Sequence, residues 1–99
     1  MNIIISALHF KADVKLENFI SEKVEKLTKV YDGIMSAEVI LKLENTDKPT
    51  NKTVEIRLKI RGNDAMSGKT ARTFEEATDN AVEALRRQLK KIKDKERGN

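Results

Sequence analysis

The sequence predicts an α+β two-layer sandwich, element order β-α-β-β-β-α, with a four-stranded sheet carrying both helices on one face. Three observations predict it. Residues 14–31 and 73–97 repeat apolar side chains three and four positions apart, the spacing of one helix face. Residues 37–44 and 53–61 alternate apolar and polar side chains, as half-buried strands do. Residues 2–8 open the chain with Ile3, Ile4 and Ile5 in a row. Two amphipathic helices must bury their stripes against one sheet. The first two strands are joined through a helix, so a right-handed parallel crossover is expected.

The three consecutive isoleucines suggest burial on both faces, hence a central strand. Asp13 is placed to cap the first helix by accepting from free backbone N–H groups. Leu16, Phe19, Ile20, Val24, Leu27, Val30 and Tyr31 form its apolar stripe, and Gly33 is expected to end it in the left-handed conformation. The outer face mixes Lys15, Glu17, Glu22, Lys23, Glu25, Lys26 and Lys29, an ordinary solvated surface. In the second strand Val39, Leu41 and Leu43 fall on one side. In the third, Val54, Ile56, Leu58 and Ile60 face the core and Glu55, Arg57, Lys59 and Arg61 face away. A loop over residues 45–52 joins them as an antiparallel hairpin. Residues 64–69 add a fourth strand, weakened by Gly68 and small side chains. The last helix opens with Thr73-Phe74-Glu75-Glu76, a capping box, and its stripe is Phe74, Ala77, Ala81, Leu85, Leu89 and Ile92.

Ninety-nine residues make one domain, with residues 96–99 expected as a frayed tail. The absence of cysteine removes disulfides, thiolate chemistry and cysteine-based zinc sites. The first residues are too short and uncharged for a signal peptide, and no apolar run is long enough to span a membrane. These features lead us to expect a soluble intracellular domain.

Catalytic constellations are weak. Gly68-Lys69-Thr70 ends like a phosphate-binding loop, but that motif needs a glycine at 63, where Asn63 stands; Gly62 is one residue early. His9 is the only histidine and has no recognisable nucleophile or orienting partner. The polar sheet face carries no aromatic platform for base stacking. No enzyme activity, cofactor or metal is expected.

Charge is the strongest functional signal. Residues 86–97 hold seven basic and two acidic side chains, a net of +5, against +4 for the whole chain. Helix-dipole complementarity requires far less. Arg86, Lys90, Lys93 and Arg97 form one stripe and Arg87 and Lys91 a second beside it; Lys69 and Arg72 add charge just before the helix. Arg forks and Lys point charges at this density suit phosphates, so the expected partner is a polyanion. A general double-stranded RNA binder and a protein-binding module that regulates a transcription factor remain alternatives.

The chain resembles the short hibernation-promoting factor and ribosome-associated inhibitor A family, whose members are also described as ribosomal subunit interface and sigma modulation proteins. The most specific match is the last helix: Phe74-Glu75-Glu76-Ala77 through Asp79, then Arg87-Gln88-Leu89 and Lys91-Ile92-Lys93-Asp94-Lys95. Val39-Ile40-Leu41-Lys42 is also similar. The resemblance covers essentially the whole chain. It implies a non-enzymatic, cytoplasmic ribosome binder, monomeric when free. It would occupy the messenger and transfer RNA channel of the small subunit and contact ribosomal RNA through Arg86, Arg87, Lys90, Lys91, Lys93 and Lys95. Lys69 and Arg72 extend that set, with Arg57, Lys59, Arg61 and Arg97 as secondary candidates. Arg72 departs from the family, where many members carry an acid. Ending at Asn99, the chain looks like the short form without a dimerisation domain.

Overall fold

In the computed structural model, which describes residues 1–97, the elements follow in the expected order: β1 (Asn2–Ala7), α1 (Val14–Glu25) continued by a 3-10 turn (Lys26–Lys29), β2 (Ile34–Leu43), β3 (Lys52–Ile60), β4 (Ala65–Ala71) and α2 (Phe74–Arg97). The sheet order is β1-β2-β3-β4. β1 runs parallel to β2, and the other neighbours are antiparallel. Both helices cover one face. Between helices and sheet lies a single core that includes Ile20, Val24, Leu27, Val39, Leu41, Val54, Ile56, Leu58, Leu85 and Leu89. Leu16 belongs to it; Phe19 is only half-buried at its margin, with the Lys23 ammonium 5.4 Å from its ring centre.

Several expectations are corrected. β1 is an edge strand, not a central one: Ile3 and Ile5 lean toward the helices, while Ile4 faces the other way and is 53% exposed. The crossover through α1 sets β1 beside β2 on the side that β3 leaves free. The isoleucine run therefore reflects strand propensity rather than two-sided burial. The first helix stops being α-helical at Glu25, earlier than its apolar spacing suggests. The chain tightens there, and the N–H groups of Val30 and Tyr31 both reach the Leu27 carbonyl, at 3.0 and 3.1 Å. Gly33 is not in the left-handed region; among the described residues only His9 and Gly62 have positive φ, at 68° and 95°. A Cβ on Gly33 would lie 2.6 Å from the Tyr31 ring, so glycine is needed there for close approach.

β2 begins at Ile34 because a bulge sets Met35 and Ser36 opposite Lys59; Ile34 and Ala37, three apart, then both face the core. Leu43, at the far end of β2, is 51% exposed rather than buried. β4 is a complete strand. Its small side chains are there because α2 lies across them: Ala65 and Ala71 are buried beneath it. α2 continues through Glu96 and Arg97, where a tail was expected, and 98–99 lie outside the described residues.

Thr78 sits on the buried side of α2, wholly inaccessible, and its hydroxyl has no hydrogen-bond partner among the described residues. An unpaired buried hydroxyl costs about 1–3 kcal/mol. Thr78→Val keeps the shape and removes that group. It is expected to raise the melting temperature by several degrees, measured by thermal unfolding; a lowered value would mean that the hydroxyl is satisfied in solution.

Candidate nucleic-acid interface

Each helix is fixed at its start by a side-chain cap. The Asp13 carboxylate accepts from Leu16 N–H at 2.8 Å, and the Thr73 hydroxyl accepts from Glu76 N–H at 3.0 Å. The two helices run in the same sense: Lys23 pairs with Asp79 at 3.4 Å, Val30 lies beside Arg86, and Tyr31 bonds to Glu96. Their carboxyl ends therefore converge on one pole, where two helix dipoles both favour positive charge. Acidic Glu17, Glu75 and Glu76 occupy the opposite pole.

The buried stripe of α2 is Phe74, Ala77, Thr78, Ala81, Leu85 and Leu89. With that side committed, Arg86, Arg87, Lys90, Lys91, Lys93, Lys95 and Arg97 are all exposed. Arg86, Lys90, Lys93 and Arg97 lie on the flank toward α1. Arg87 and Lys91 lie on the flank toward β4, where the Gln88 side-chain amide donates to the Met66 carbonyl at 2.8 Å. Arg86, Arg87, Lys90, Lys91 and Lys93 make no ion pair among the described residues. Unpaired cations this close together repel one another, and a polyanion relieves that repulsion.

The structure divides the remaining candidates. Lys69 stands opposite Val54 in the β4 register, so its side chain starts on the helix-bearing face, exposed at the sheet edge. Arg72 is exposed in the link before α2. The helical rise from Phe74 to Arg86 alone is about 18 Å, so Arg72 lies at the acidic pole rather than the basic one. Arg57 and Lys59 lie on the opposite sheet face, Arg57 with its Nε 3.9 Å from Asp64. Lys42, on that face too, is held by Glu55 at 2.9 Å. Arg61 lies just beyond β3, beside Tyr31 and Glu96 at the end of α2. Of the secondary set, Arg61 and Arg97 thus join the basic pole, and Arg57 and Lys59 do not.

Sequence reasoning missed Lys23, Lys26 and Lys29. They read as a mixed solvated face, but the fold sets them along a groove of about 590 Å³ between the helices, facing Arg86 over an apolar floor of Leu27, Val30 and Val82. The strand directions in the sheet carry the signal. β1 and β4 point the same way, so the helices that follow them must also run together.

Gly68-Lys69-Thr70 is no phosphate loop. It lies inside β4, with Gly68 opposite Glu55 and the Thr70 hydroxyl 2.7 Å from that of Thr53. His9 is exposed in the β1–α1 connection, next to a Phe10–Phe74 stack at 5.2 Å. No cluster of His, Asp or Glu among the described residues could hold a metal, and none of their helices is long and apolar enough to cross a membrane. The Tyr31 phenol donates to Glu96 Oε2 at 2.8 Å. That bond is the main reason its pKa is raised, since it stabilises the neutral phenol beside a carboxylate. Any stability it contributes is present below the ordinary tyrosine value near about 10 and is lost as pH rises through the raised one.

Residues 3–97 match the family model described as Sigma 54 modulation protein / S30EA ribosomal protein. A Pseudomonas putida protein described as ribosome hibernation promoting factor is 29% identical over 96 residues, covering 97% of this chain and 90% of the relative. Among solved structures, the N-terminal domain of Protein Y from Thermus thermophilus superposes with a TM-score of 0.80 at 22% identity, covering 93% of this chain and 99% of that one. A ribosomal subunit interface protein from Coxiella burnetii superposes at 0.83 with 18% identity, covering 94% and 98%. At these identities the two superpositions establish the shared fold.

Proposed function

The chain belongs to the Sigma 54 modulation protein / S30EA ribosomal protein family, and from that membership we propose that it is a ribosome hibernation factor. It binds small-subunit ribosomal RNA in the channel used by messenger and transfer RNA, and so silences translation in stress or stationary phase. The observation that carries this reading is the run of unpaired, exposed cations from Arg86 to Lys93, at the pole where both helices end, in a chain whose Pseudomonas relative is described as a ribosome hibernation promoting factor. The protein acts in the cytoplasm, as a monomer when free, without cofactor or catalysis. Its chemistry is occupancy: Arg forks and Lys ammonium groups replace the counterions of the RNA backbone and exclude the RNAs that translation needs.

Counterion release gives the test. With about six phosphates neutralised, affinity for small subunits is expected to fall roughly a thousandfold between about 50 and 200 mM salt. Transfer and messenger RNA should compete for the same subunits in a sedimentation assay. Equal binding to free RNA duplexes would instead identify a general structured-RNA binder. Binding that hardly responds to salt would favour a protein-binding regulatory module.

A further inference from the structure

We infer that Tyr31 is a positioning residue for the basic helix: its phenol, laid against Gly33, holds the last turn of α2 through Glu96 and thereby keeps Lys93, Lys95 and Arg97 set for phosphate contact. The inference rests on the polyanion-binding reading above and adds a device to it.

The need for such a device follows from burial. The last fully buried side chain of α2 is Leu89, and Ile92 is half-buried; every residue over 93–97 is exposed. A helix end without buried contacts frays, and frayed lysines and arginines must be ordered again when they bind. The Tyr31–Glu96 bond, 2.8 Å across 65 positions of sequence, ties that end to the body of the domain. Gly33 makes room for it. Its backbone does not require glycine, yet a Cβ there would come within 2.6 Å of Tyr31 Cε2 and 3.1 Å of the phenolic oxygen. Glu96 is otherwise hard to explain, since an acid between Lys95 and Arg97 weakens the attraction for phosphate. As the acceptor of the phenol it has a structural use. The phenol is protonated at neutral pH and so can donate, and the same carboxylate raises its pKa further.

Tyr31→Phe removes one oxygen and leaves every charge in place, which makes it the cleaner variant; Glu96→Gln would also alter the net charge. Two readouts are compared with the wild type: amide hydrogen exchange over residues 93–97, and salt-dependent affinity for small ribosomal subunits and for a plain RNA duplex. Exchange is expected to rise and affinity to fall, each by about three- to tenfold, the worth of one net hydrogen bond. Gly33→Ala, which pushes the ring aside, should move both readouts in the same direction. Unchanged exchange in Tyr31→Phe would overturn the inference, and so would faster exchange with undiminished affinity. Binding by the wild type to the duplex but not to subunits would sink the ribosomal reading alone, and the duplex affinities would then decide the inference. If the wild type binds neither, both fall.

Discussion

Arg86→Glu combined with Lys90→Glu is expected to lower affinity for the small ribosomal subunit on the order of a hundredfold or more at moderate salt. Each substitution removes a cation and installs an acid in the middle of the flank facing α1. Two charged hydrogen bonds at about 1.5–3 kcal/mol each already give an effect of that size. The log–log salt slope should become shallower by about two contacts. Both residues are exposed and lie away from the buried stripe, so the fold should survive; circular dichroism and melting check this. Lys23 and Lys26 look remote in sequence, but they line the groove that Arg86 enters, so reversing them should also weaken binding, by less, because Lys23 is already engaged by Asp79. The matched control is Lys15→Glu with Lys48→Glu, at the start of α1 and in the β2–β3 loop, toward the acidic pole. Equal losses from the control and from the Arg86/Lys90 pair would make net charge the cause and dismiss a defined site. A loss confined to Arg86/Lys90, with a smaller one for Lys23/Lys26, would locate the surface along both helices.

What the sequence reveals depends on whether local pattern or chain trace decides a feature. In α2 the Thr73 cap, the Leu85–Leu89 spacing and the acid-to-base gradient all agree, so the helix and its exposed cations are legible residue by residue. β3 is legible for the same reason, since its alternation survives intact from Val54 to Ile60. β1 is not: three isoleucines in a row announce a strand but say nothing of its neighbours. Parity misleads at Arg61, which continues the Arg57–Lys59 alternation on paper. The strand ends at Ile60, and Arg61 turns toward Tyr31 and Glu96 instead. Gly33 reads as a helix terminator because glycine commonly is one, whereas its use here is clearance for a ring that only the folded chain brings near. Arg72 is one short link from α2 in sequence but lies at the wrong end of that helix to join the basic pole. In each case the missing information is three-dimensional: which pole, which edge, which partner.

Leu85→Ala is expected to destabilise the domain by about 2–5 kcal/mol, and Leu89→Ala by a similar amount. Both side chains are fully buried on the α2 stripe, over a sheet face built from Val39, Leu41, Ile56 and Leu58, so truncation leaves a cavity that the rigid layers can close only in part. A domain of this size has only about 5–15 kcal/mol of total stability. At roughly 4–8 °C per kcal/mol, either variant should lower the melting temperature by about eight degrees or more. The double variant, in which two adjacent cavities compound, should be largely unfolded at physiological temperature. Leu43→Ala supplies the contrast. The alternation of β2 places Leu43 in the same row as Val39 and Leu41, yet it is half-exposed at the strand end, and its truncation should cost about 1 kcal/mol or less. Thermal and urea unfolding of the three single variants decides the matter. A large loss at Leu43 with little change at Leu85 and Leu89 would place the core on the wrong side of α2, and the exposed surface assigned to Arg86 and Lys90 would fall with it.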